Sequence, residues 1–255
     1  MSDAGRVVLV TGGAGGIGAA VAARFHGAGW IVRLTDLDVP GLATTAAGLP
    51  GTACRAADVR SPAACRDLVE WAVASGGRLD ALINVAGVWR EGSTADTTEA
   101  DFDLVFDVNV KGLYFMSSAA IPHLRRSGGL IVNLSSDAGV QGNTGAALYC
   151  ASKGAVSLFS KALALELAVE GIRVNAVCPG DVASPMLRRQ AETYGGGDPE
   201  AYCARLLAGY PQGAGRARFV TPDEVASLIE YLARPEAAPI TGATLSIDFG
   251  YSAGK

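Results

Sequence analysis

Short apolar runs alternate with longer stretches of helical periodicity along most of the chain. Runs of this kind, bounded by glycine, proline or aspartate, are typical of strands that are buried on both faces. They predict strands at Val7–Val10, Ile31–Thr35, Thr52–Ala56, Ala81–Val85, Leu130–Leu134, Arg173–Cys178 and Thr244–Ile247. Strands that alternate with helices in sequence indicate the α/β class of fold.

The stretches between these runs predict helices, and two of them begin with an N-cap residue followed by proline, at Ser61 and Thr221. The predicted helices are Gly18–Gly29, Ser61–Ser75, Asp101–Arg126, Tyr149–Glu170 and Pro222–Ala233. This order predicts a Rossmann-type, doubly wound, seven-stranded parallel sheet with helices on both faces, in a single domain over residues 1–255. Ligands of such sheets bind at the carboxyl ends of the strands.

One glycine-rich segment interrupts the regular alternation, at about residues 184–218. It contains only short helical pieces such as Glu200–Leu207, and it follows the end of the sixth predicted strand. A long insertion at this position is either a mobile lid or a loose loop, and its place after a strand end favours a substrate lid.

Composition narrows the class of protein. With 49% hydrophobic residues, a net charge of −4 and no long basic run, the chain is a poor match for nucleic-acid binding. The N-terminal apolar run is too short for a signal peptide or a membrane span. Five scattered cysteines without a C-x-x-C pair favour reduced thiols and a cytoplasmic protein, and two isolated histidines give no support for a metal site.

The first predicted strand leads directly into a glycine-rich turn, Thr11-Gly12-Gly13-Ala14-Gly15-Gly16-Ile17-Gly18, and then into a helix. Glycine has no Cβ, so the backbone N–H groups of such a turn can approach a pyrophosphate. A structural tight turn also needs glycine, but the strand, turn and helix in this order favour a dinucleotide. No Gly-Lys-Ser/Thr closes the turn, which excludes a Walker A loop. Candidate cofactor contacts are Gly12, Gly15, Gly16, Ile17 and Gly18.

Asp36 stands at the end of the second predicted strand, 18 residues after Gly18, with Leu37 beside it. An acidic side chain here accepts hydrogen bonds from adenosine ribose hydroxyls. It would repel a 2′-phosphate by about 4 kcal/mol at 4 Å and an effective dielectric near 20. Asp36 therefore predicts NAD rather than NADP. The alternative is that Asp36 is only a turn residue, together with Asp38 and Pro40.

Tyr149 and Lys153 form an i, i+4 pair at the start of the longest predicted helix, on one face and one turn apart. A tyrosine has an ordinary pKa of about 10, so a basic role near neutrality requires a lowered pKa. Lys153 would supply a positive charge that lowers the pKa of Tyr149. Such pairs also occur on ordinary amphipathic helices, where they mean a packed ring and a solvated charge.

Five motifs, in this order, resemble those of the short-chain dehydrogenase/reductase family in its compact single-domain form. They are the T-G-x-x-x-G-x-G loop at Thr11–Gly18, the N-x-A-G turn at Asn84–Gly87, a helix asparagine at Asn109, Ser136, and Y-x-x-x-K at Tyr149–Lys153. Ser136 precedes Tyr149 by 13 residues, the spacing of the family, which favours it over Ser135. The resemblance extends along nearly the whole chain.

The resemblance implies an NAD(H)-dependent oxidoreductase that interconverts a secondary alcohol and a ketone. Ser136 would hydrogen-bond the substrate oxygen, and Tyr149 would act as general acid or base. Lys153 would hold the nicotinamide ribose. Asn109 would kink its helix through a water that connects Lys153 to solvent, although it could instead simply face solvent. Further implied cofactor contacts are Asp58, Val59, Asn84, Ala86, Gly87, Pro179, Gly180, Val182 and Ser184, and Asp58 could alternatively be only a cap.

Several points stay open at the level of sequence. A catalytically silent NAD-sensing or scaffold protein of the same fold is one alternative, and a sugar-nucleotide epimerase or dehydratase is another. Phe249 replaces a glycine that is common in the family. Aromatic residues such as Trp89, Tyr194 and Tyr210 indicate a partly apolar small-molecule substrate, and the resemblance implies a homotetramer or homodimer.

Overall fold

The computed structural model describes residues 5–213 and 215–253, and it contains a seven-stranded parallel sheet in the order β3-β2-β1-β4-β5-β6-β7. The strands are β1 Val7–Thr11, β2 Ile31–Asp36, β3 Ala53–Ala56, β4 Ala81–Asn84, β5 Leu130–Leu134, β6 Arg173–Pro179 and β7 Thr244–Ile247. The Rossmann-type α/β fold predicted from the sequence is confirmed. Strands β2 and β3 are added on one side of β1, and strands β4 to β7 are added on its other side. The switch point, where the direction of strand addition reverses, therefore lies between β1 and β4.

Helices connect consecutive strands, and a further pair follows β6. Their bounds are α1 Gly16–Gly27, α2 Val39–Ala47, α3 Pro62–Gly76, α4 Glu99–Phe106, α5 Leu113–Ser127, α6 Ala147–Leu167, α7 Pro185–Tyr194, α8 Pro199–Ala208 and α9 Pro222–Leu232. The sequence pattern did not predict α2 or α7. Both are short, and both begin with a capping side chain, Asp38 and Ser184, and have a proline in their first two positions.

The hydrophobic core lies on both faces of the sheet because successive side chains of a strand point to opposite faces. In β1, Val8 and Val10 pack in a cluster with Phe25 of α1 and Ile229 of α9. Val7 and Leu9 pack in a second cluster with Leu68 of α3, Met116 of α5 and Leu163 of α6. Every residue of β1 is buried, which explains the uninterrupted apolar run in the sequence.

The predicted helix Asp101–Arg126 is not one regular α-helix. A π-helical turn at Asp107–Gly112 separates α4 from α5, and the continuous helical stretch Glu99–Ser127 is long and apolar enough to cross a membrane by length and composition alone. Here its inward side chains Met116, Ala120 and Leu124 are buried against the sheet. Core helices of folded domains also have this length and composition, so the stretch is no sign of a membrane protein by itself.

Candidate active site

A cleft of about 560 Å³ lies at the switch point, at the carboxyl ends of the strands. Most of the residues singled out in the sequence line it. They are Gly12, Gly15, Gly16, Ile17, Asp36, Leu37, Asp58, Val59, Ala86, Gly87, Ser136, Tyr149, Lys153, Pro179, Gly180, Val182 and Ser184. Gly18, Asn84 and Asn109 are not part of the lining and lie behind it.

The glycine loop between β1 and α1 is shaped by close backbone approaches. Gly12 has a φ of +71°, and a Cβ there would lie 2.9 Å from the backbone nitrogen of Ala86. A Cβ on Gly18 would lie 2.0 Å from the carbonyl oxygen of Gly12, so Gly18 supports the loop from behind. Thr11 holds the segment after β4 against this loop, because its hydroxyl accepts hydrogen bonds from Val85 N and Ala86 N, both at 3.1 Å.

The N-terminus of α1 is open toward the cleft. Its N-cap residue is Gly15, and no side chain caps the helix. A Cβ built on Gly15 would meet no atom within 4 Å. The first turn of a helix carries unsatisfied N–H groups and a positive end of the helix dipole, which suits a phosphate. The loop and helix end therefore fit the pyrophosphate of a dinucleotide.

Asp36 is held in place at the end of β2 by backbone amides. Its Oδ2 accepts from Ala14 N at 3.1 Å, and its Oδ1 accepts from Leu37 N at 2.7 Å. Arg33, on the other face of β2, is buried and donates to Ser75. Arg60 lines the cleft but pairs with Asp58 at 2.6 Å, and this hydrogen bond lowers the pKa of Asp58. The carboxylate of Asp36 is thus fixed at the edge of the cleft where an adenosine ribose would fit.

Ser136, Tyr149 and Lys153 are brought together on one wall of the cleft, and all three are buried. Ser136 follows the end of β5 with an extended backbone, while Tyr149 and Lys153 are one turn apart in α6. The Lys153 ammonium donates to Leu134 O at 2.8 Å and lies 5.6 Å from the centre of the Tyr149 ring. Ser135 points elsewhere, since its hydroxyl donates to Lys153 O at 2.9 Å.

Burial controls the ionisation of this group of residues. Burial raises the pKa of Tyr149, and the negative charge of Asp137 raises it further. Burial also lowers the pKa of Lys153, to about 8. In the protein without bound cofactor the net shift raises the pKa of Tyr149, because desolvation of the phenolate is the largest effect.

Asn109 lies in the π-helical turn and is fully buried, which excludes the alternative that it faces solvent. Its side chain accepts from Val88 N at 2.8 Å and donates to Val88 O at 3.0 Å and to Ser152 Oγ at 3.1 Å. Ser152 in turn donates to Tyr149 O at 2.8 Å. Asn109 therefore connects the loop after β4 to the backbone of the Tyr149 helix.

The Asn84 side chain lies inside the protein rather than on the cleft. Its amide nitrogen donates to Asn133 Oδ1 at 2.9 Å and to Ser117 Oγ at 3.1 Å. These hydrogen bonds join β4 to β5 and to α5. A cofactor contact through the Asn84 side chain remains a prediction.

Two acidic residues of the cleft were not identified from the sequence, Asp137 and Asp181. Asp137 follows Ser136 directly and accepts a hydrogen bond from the Ser136 hydroxyl at 2.7 Å. Asp181 follows Pro179-Gly180 at the end of β6. Their place in the sequence could have identified them, because an acidic residue just after a parallel strand lies at the carboxyl end of the sheet, where ligands bind.

Fold and cleft together define an α/β oxidoreductase that binds a nicotinamide dinucleotide. A family model described as enoyl-(acyl carrier protein) reductase matches residues 12–252. Meso-2,3-butanediol dehydrogenase of Serratia marcescens is 35% identical over 97% of this chain and 95% of its own length. The chain belongs to the short-chain dehydrogenase/reductase family.

Solved structures of relatives superimpose closely. Actinorhodin polyketide ketoreductase with NADPH has a TM-score of 0.92 and 37% identity, covering 99% of this chain and 98% of its own. The 3-ketoacyl-(acyl-carrier-protein) reductase from Brucella melitensis, complexed with NADH, has a TM-score of 0.87 and 31% identity, covering 98% and 100%. One relative was thus solved with the phosphorylated cofactor and the other with the unphosphorylated one.

Proposed function

We propose that this protein is an NAD(H)-dependent oxidoreductase that interconverts a secondary alcohol and a ketone. The observation that supports this most is the convergence of Ser136, Tyr149 and Lys153 in a cleft that the open glycine loop also lines. When bound, the nicotinamide supplies the acceptor or donor of the hydride.

The remaining chemistry belongs to the side chains of the cleft. Tyr149 takes the hydroxyl proton of the alcohol during oxidation and returns it to the carbonyl oxygen during reduction. Ser136 holds that oxygen by a hydrogen bond next to the phenol, for which its hydroxyl turns away from Asp137, the acceptor it has in this structure. Lys153, anchored on Leu134 O, lies where it can hold the nicotinamide ribose. Asn109 and Ser152 act through the Tyr149 backbone and are positioning residues.

Burial and the charge of Asp137 raise the pKa of Tyr149 and so keep its phenol neutral. A neutral, buried phenol is well suited to donate a proton, so reduction needs no change of its resting state. Oxidation requires the phenolate, which the positive charges of NAD⁺ and Lys153 would stabilise in the assembled site.

NAD is the proposed cofactor, and Asp36 supports it. The carboxylate is fixed by the amides of Ala14 and Leu37 and lines the cleft. A 2′-phosphate beside it would meet a negative charge. Gly18 and Asn84 contribute to this cofactor site by supporting its backbone rather than by lining it.

Residues 184–218 are proposed as the substrate lid. Their first helix, α7, lines the cleft through Met186 and Gln190. Gln190 donates to the hydroxyl of Tyr202 at 2.7 Å, and Tyr202 donates to Glu91 Oε2 at 2.6 Å. This chain of hydrogen bonds joins both lid helices to the loop after β4.

A homotetramer or homodimer in the cytoplasm is also proposed. The outer face of α6 exposes large apolar side chains, with Leu165 82% and Leu158 70% exposed. The adjacent helices add the exposed rings of Phe102 and Tyr114. An apolar face of this kind is typical of a subunit contact. Light scattering at micromolar concentration tests it, and a monomer mass would contradict the proposal.

A spectrophotometric screen tests the proposed function. The purified protein is incubated with NAD⁺ and a panel of secondary alcohols, and with NADH and the corresponding ketones. Absorbance of NADH is expected to rise in the first arm and fall in the second. Absence of any change across sterols, sugars, cyclic alcohols, acyl thioesters and aromatic ketones would contradict catalysis and favour a silent NAD-binding protein.

A further inference from the structure

The substrate end of the cleft carries two carboxylates beside the catalytic tyrosine. Asp137 is 7% exposed and Asp181 is partly buried, and both line the cleft together with Ser136 and Tyr149. Both negative charges act on Tyr149, where each raises the pKa of the phenol. Asp137 accepts a hydrogen bond from the Ser136 hydroxyl at 2.7 Å, so its carboxylate lies next to the group that would hold a substrate oxygen.

Neither carboxylate has a cationic partner among the residues that the structure describes. Lys153, the buried ammonium of the same wall, donates to Leu134 O instead. Arg189 lines the outer cleft from α7 and is exposed. Burial and then the charge of Asp137 raise the pKa of Asp181 to about 6. The two acids thus repel each other in a partly desolvated site, and a group that donates to them would relieve this repulsion.

The two carboxylates differ in how many partners they already have. Asp137 accepts on both oxygens, from Ser136 at 2.7 Å and from Asn143 at 2.9 Å. Asp181 accepts only on Oδ2, from Tyr210 at 3.3 Å, and no hydrogen bond of the described residues reaches its Oδ1. Since an ionised carboxylate offers about four acceptor sites, Asp181 has the larger unused capacity.

The neutral polar groups nearby do not supply the missing donor. Asn143 directs its amide nitrogen to Asp137, and Gln190 directs its amide nitrogen to Tyr202. The Tyr210 hydroxyl accepts from Asp181 N at 2.7 Å and donates to the same residue's Oδ2. The indole Nε1 of Trp89 is the exception, since it is a buried donor with no hydrogen-bond partner among the described residues; the other neutral groups named here leave the acceptor capacity of Asp181 unused.

We propose that Asp181 is a specificity-determining residue that selects alcohols carrying a second hydrogen-bond donor, a vicinal hydroxyl or an ammonium, and that disfavours anionic substrates. The proposal rests on the proposed alcohol-ketone activity and names its substrate class. It also changes the expectation of a partly apolar substrate: the wall formed by Trp89 and Met186 accommodates carbon, but the acidic end requires a donor. A carboxylate or sulfonate at this end would face two like charges.

A series built on one carbon skeleton tests the proposal. It comprises a secondary alcohol, its vicinal diol, its vicinal amino alcohol and its hydroxy acid, each assayed with saturating NAD⁺ at about pH 8, where Asp181 is ionised. The wild type is expected to prefer the diol or the amino alcohol over the simple alcohol by about tenfold in kcat/KM, the size of one charged hydrogen bond. The hydroxy acid is expected to be the poorest of the four.

Two variants and one control separate the contributions. Asp181→Val removes every acceptor and is expected to abolish the preference for both donors. Asp181→Asn keeps an acceptor without the charge, so it is expected to retain a preference for the diol and lose that for the amino alcohol. Asp223→Asn is the matched control, because Asp223 is exposed and pairs with Arg24 away from the cleft. Its substrate ranking is expected to equal that of the wild type.

The outcomes distinguish this inference from the function on which it rests. If no member of the series yields NADH with the wild type, the proposed function itself is contradicted. If NADH forms but the wild type ranks the simple alcohol or the hydroxy acid first, the proposal about Asp181 alone is overturned. It is equally overturned if Asp181→Asn leaves the ranking of all four substrates unchanged, an outcome that is readable even where Asp181→Val does not fold.

Discussion

The Lys153 ammonium lies 5.6 Å from the centre of the Tyr149 ring and donates to the carbonyl oxygen of Leu134 at 2.8 Å. The lysine is thus fixed by the backbone at the end of β5 rather than by the phenol one turn away. The pKa of Tyr149 is raised, because burial disfavours the phenolate and the negative charge of Asp137 adds to this effect. The hydrogen bond to Leu134 O also leaves the ammonium beside Gly87, where an added Cβ would lie 3.5 Å from the Lys153 Nζ.

Cofactor choice is expected to depend on the charge of Asp36. In Asp36→Asn the amide oxygen can still accept from the backbone, but repulsion of a 2′-phosphate is removed. The ratio of kcat/KM for NAD to that for NADP is expected to fall by at least about tenfold. Initial rates with both cofactors at equal subsaturating concentrations measure this. A wild type that already prefers NADP would contradict the role given to Asp36.

Helix α1 is expected to tolerate an added methyl group at its C-terminal end, at Gly27, and not in its first turn, at Gly18. Gly18→Ala places its Cβ 2.0 Å from Gly12 O, and backbone cannot move away as a flexible side chain would. Thermal unfolding should occur at a lower temperature, and NADH affinity should fall because the loop shifts. Gly27→Ala is the control, since a Cβ there meets nothing within 4 Å. Equal unfolding temperatures for the two variants would argue against this packing.

The lid is expected to loosen when its hydrogen-bonded anchor is removed. Tyr202→Phe deletes the hydroxyl that joins Gln190 of α7 to Glu91, and each such bond contributes about 1 kcal/mol. KM for the substrate should rise, and limited proteolysis within residues 184–218 should accelerate. Tyr231→Phe serves as control because Tyr231 is exposed on α9, outside the cleft. Unchanged KM and cleavage rates in Tyr202→Phe would contradict a lid held by this contact.

Asp181 is expected to make the protein less stable as the pH rises. Its pKa is raised from 3.8 to about 6 in the folded state, by burial first and by Asp137 and Glu91 in addition, while Tyr210 opposes the shift. The folded state therefore binds the proton more tightly than the unfolded state. This stabilisation is complete below about pH 4 and is lost as the pH rises through about 6, at a cost of at most about 3 kcal/mol.

Chemical denaturation between pH 4 and about pH 8 measures this effect. The side chain of Asp181→Asn does not titrate, so this variant should not lose the stability that the wild type loses as the pH rises. The unfolding free energy of the variant minus that of the wild type should therefore be larger at about pH 8 than at pH 4. Asp223→Asn is the control: a hydrogen bond from Arg24 lowers the pKa of Asp223, so this carboxyl titrates below the range and its variant should differ from the wild type by a nearly constant amount. A constant difference between Asp181→Asn and the wild type over the whole range would contradict the buried, repelled carboxylate.

The seven strands and their parallel, doubly wound sheet could be predicted from the sequence because buried parallel strands produce uninterrupted apolar runs. Strands β5 and β7 begin and end where the pattern placed them, at Leu130–Leu134 and Thr244–Ile247. The short helices α2 and α7 could not be predicted in the same way, since they depend on caps and tertiary contacts rather than on a long periodic face. The π-helical turn at Asp107–Gly112 depends on the partners that Asn109 finds in the fold.

The positions of the site residues followed from motif order, but their environments did not. Sequence spacing placed Tyr149 and Lys153 on one helix face. Whether the pKa of Tyr149 is raised or lowered depends first on its burial, which the spacing does not show. Likewise, Asp137 and Asp181 are distant in sequence, and only the adjacency of β5 and β6 brings them to one end of the cleft. Electrostatics of this kind depends on the three-dimensional arrangement.

The role of Tyr149 is tested most directly by Tyr149→Phe, which removes the phenolic hydroxyl and keeps the ring that packs on Trp89 at 4.3 Å. With a secondary alcohol that the wild type oxidises and saturating NAD⁺, kcat is expected to fall by about 10²–10⁴-fold. NADH binding, followed by its fluorescence, is expected to stay unchanged, which shows that the cleft is intact. A Tyr149→Phe variant that binds NADH and retains the kcat of the wild type would contradict proton transfer by this residue.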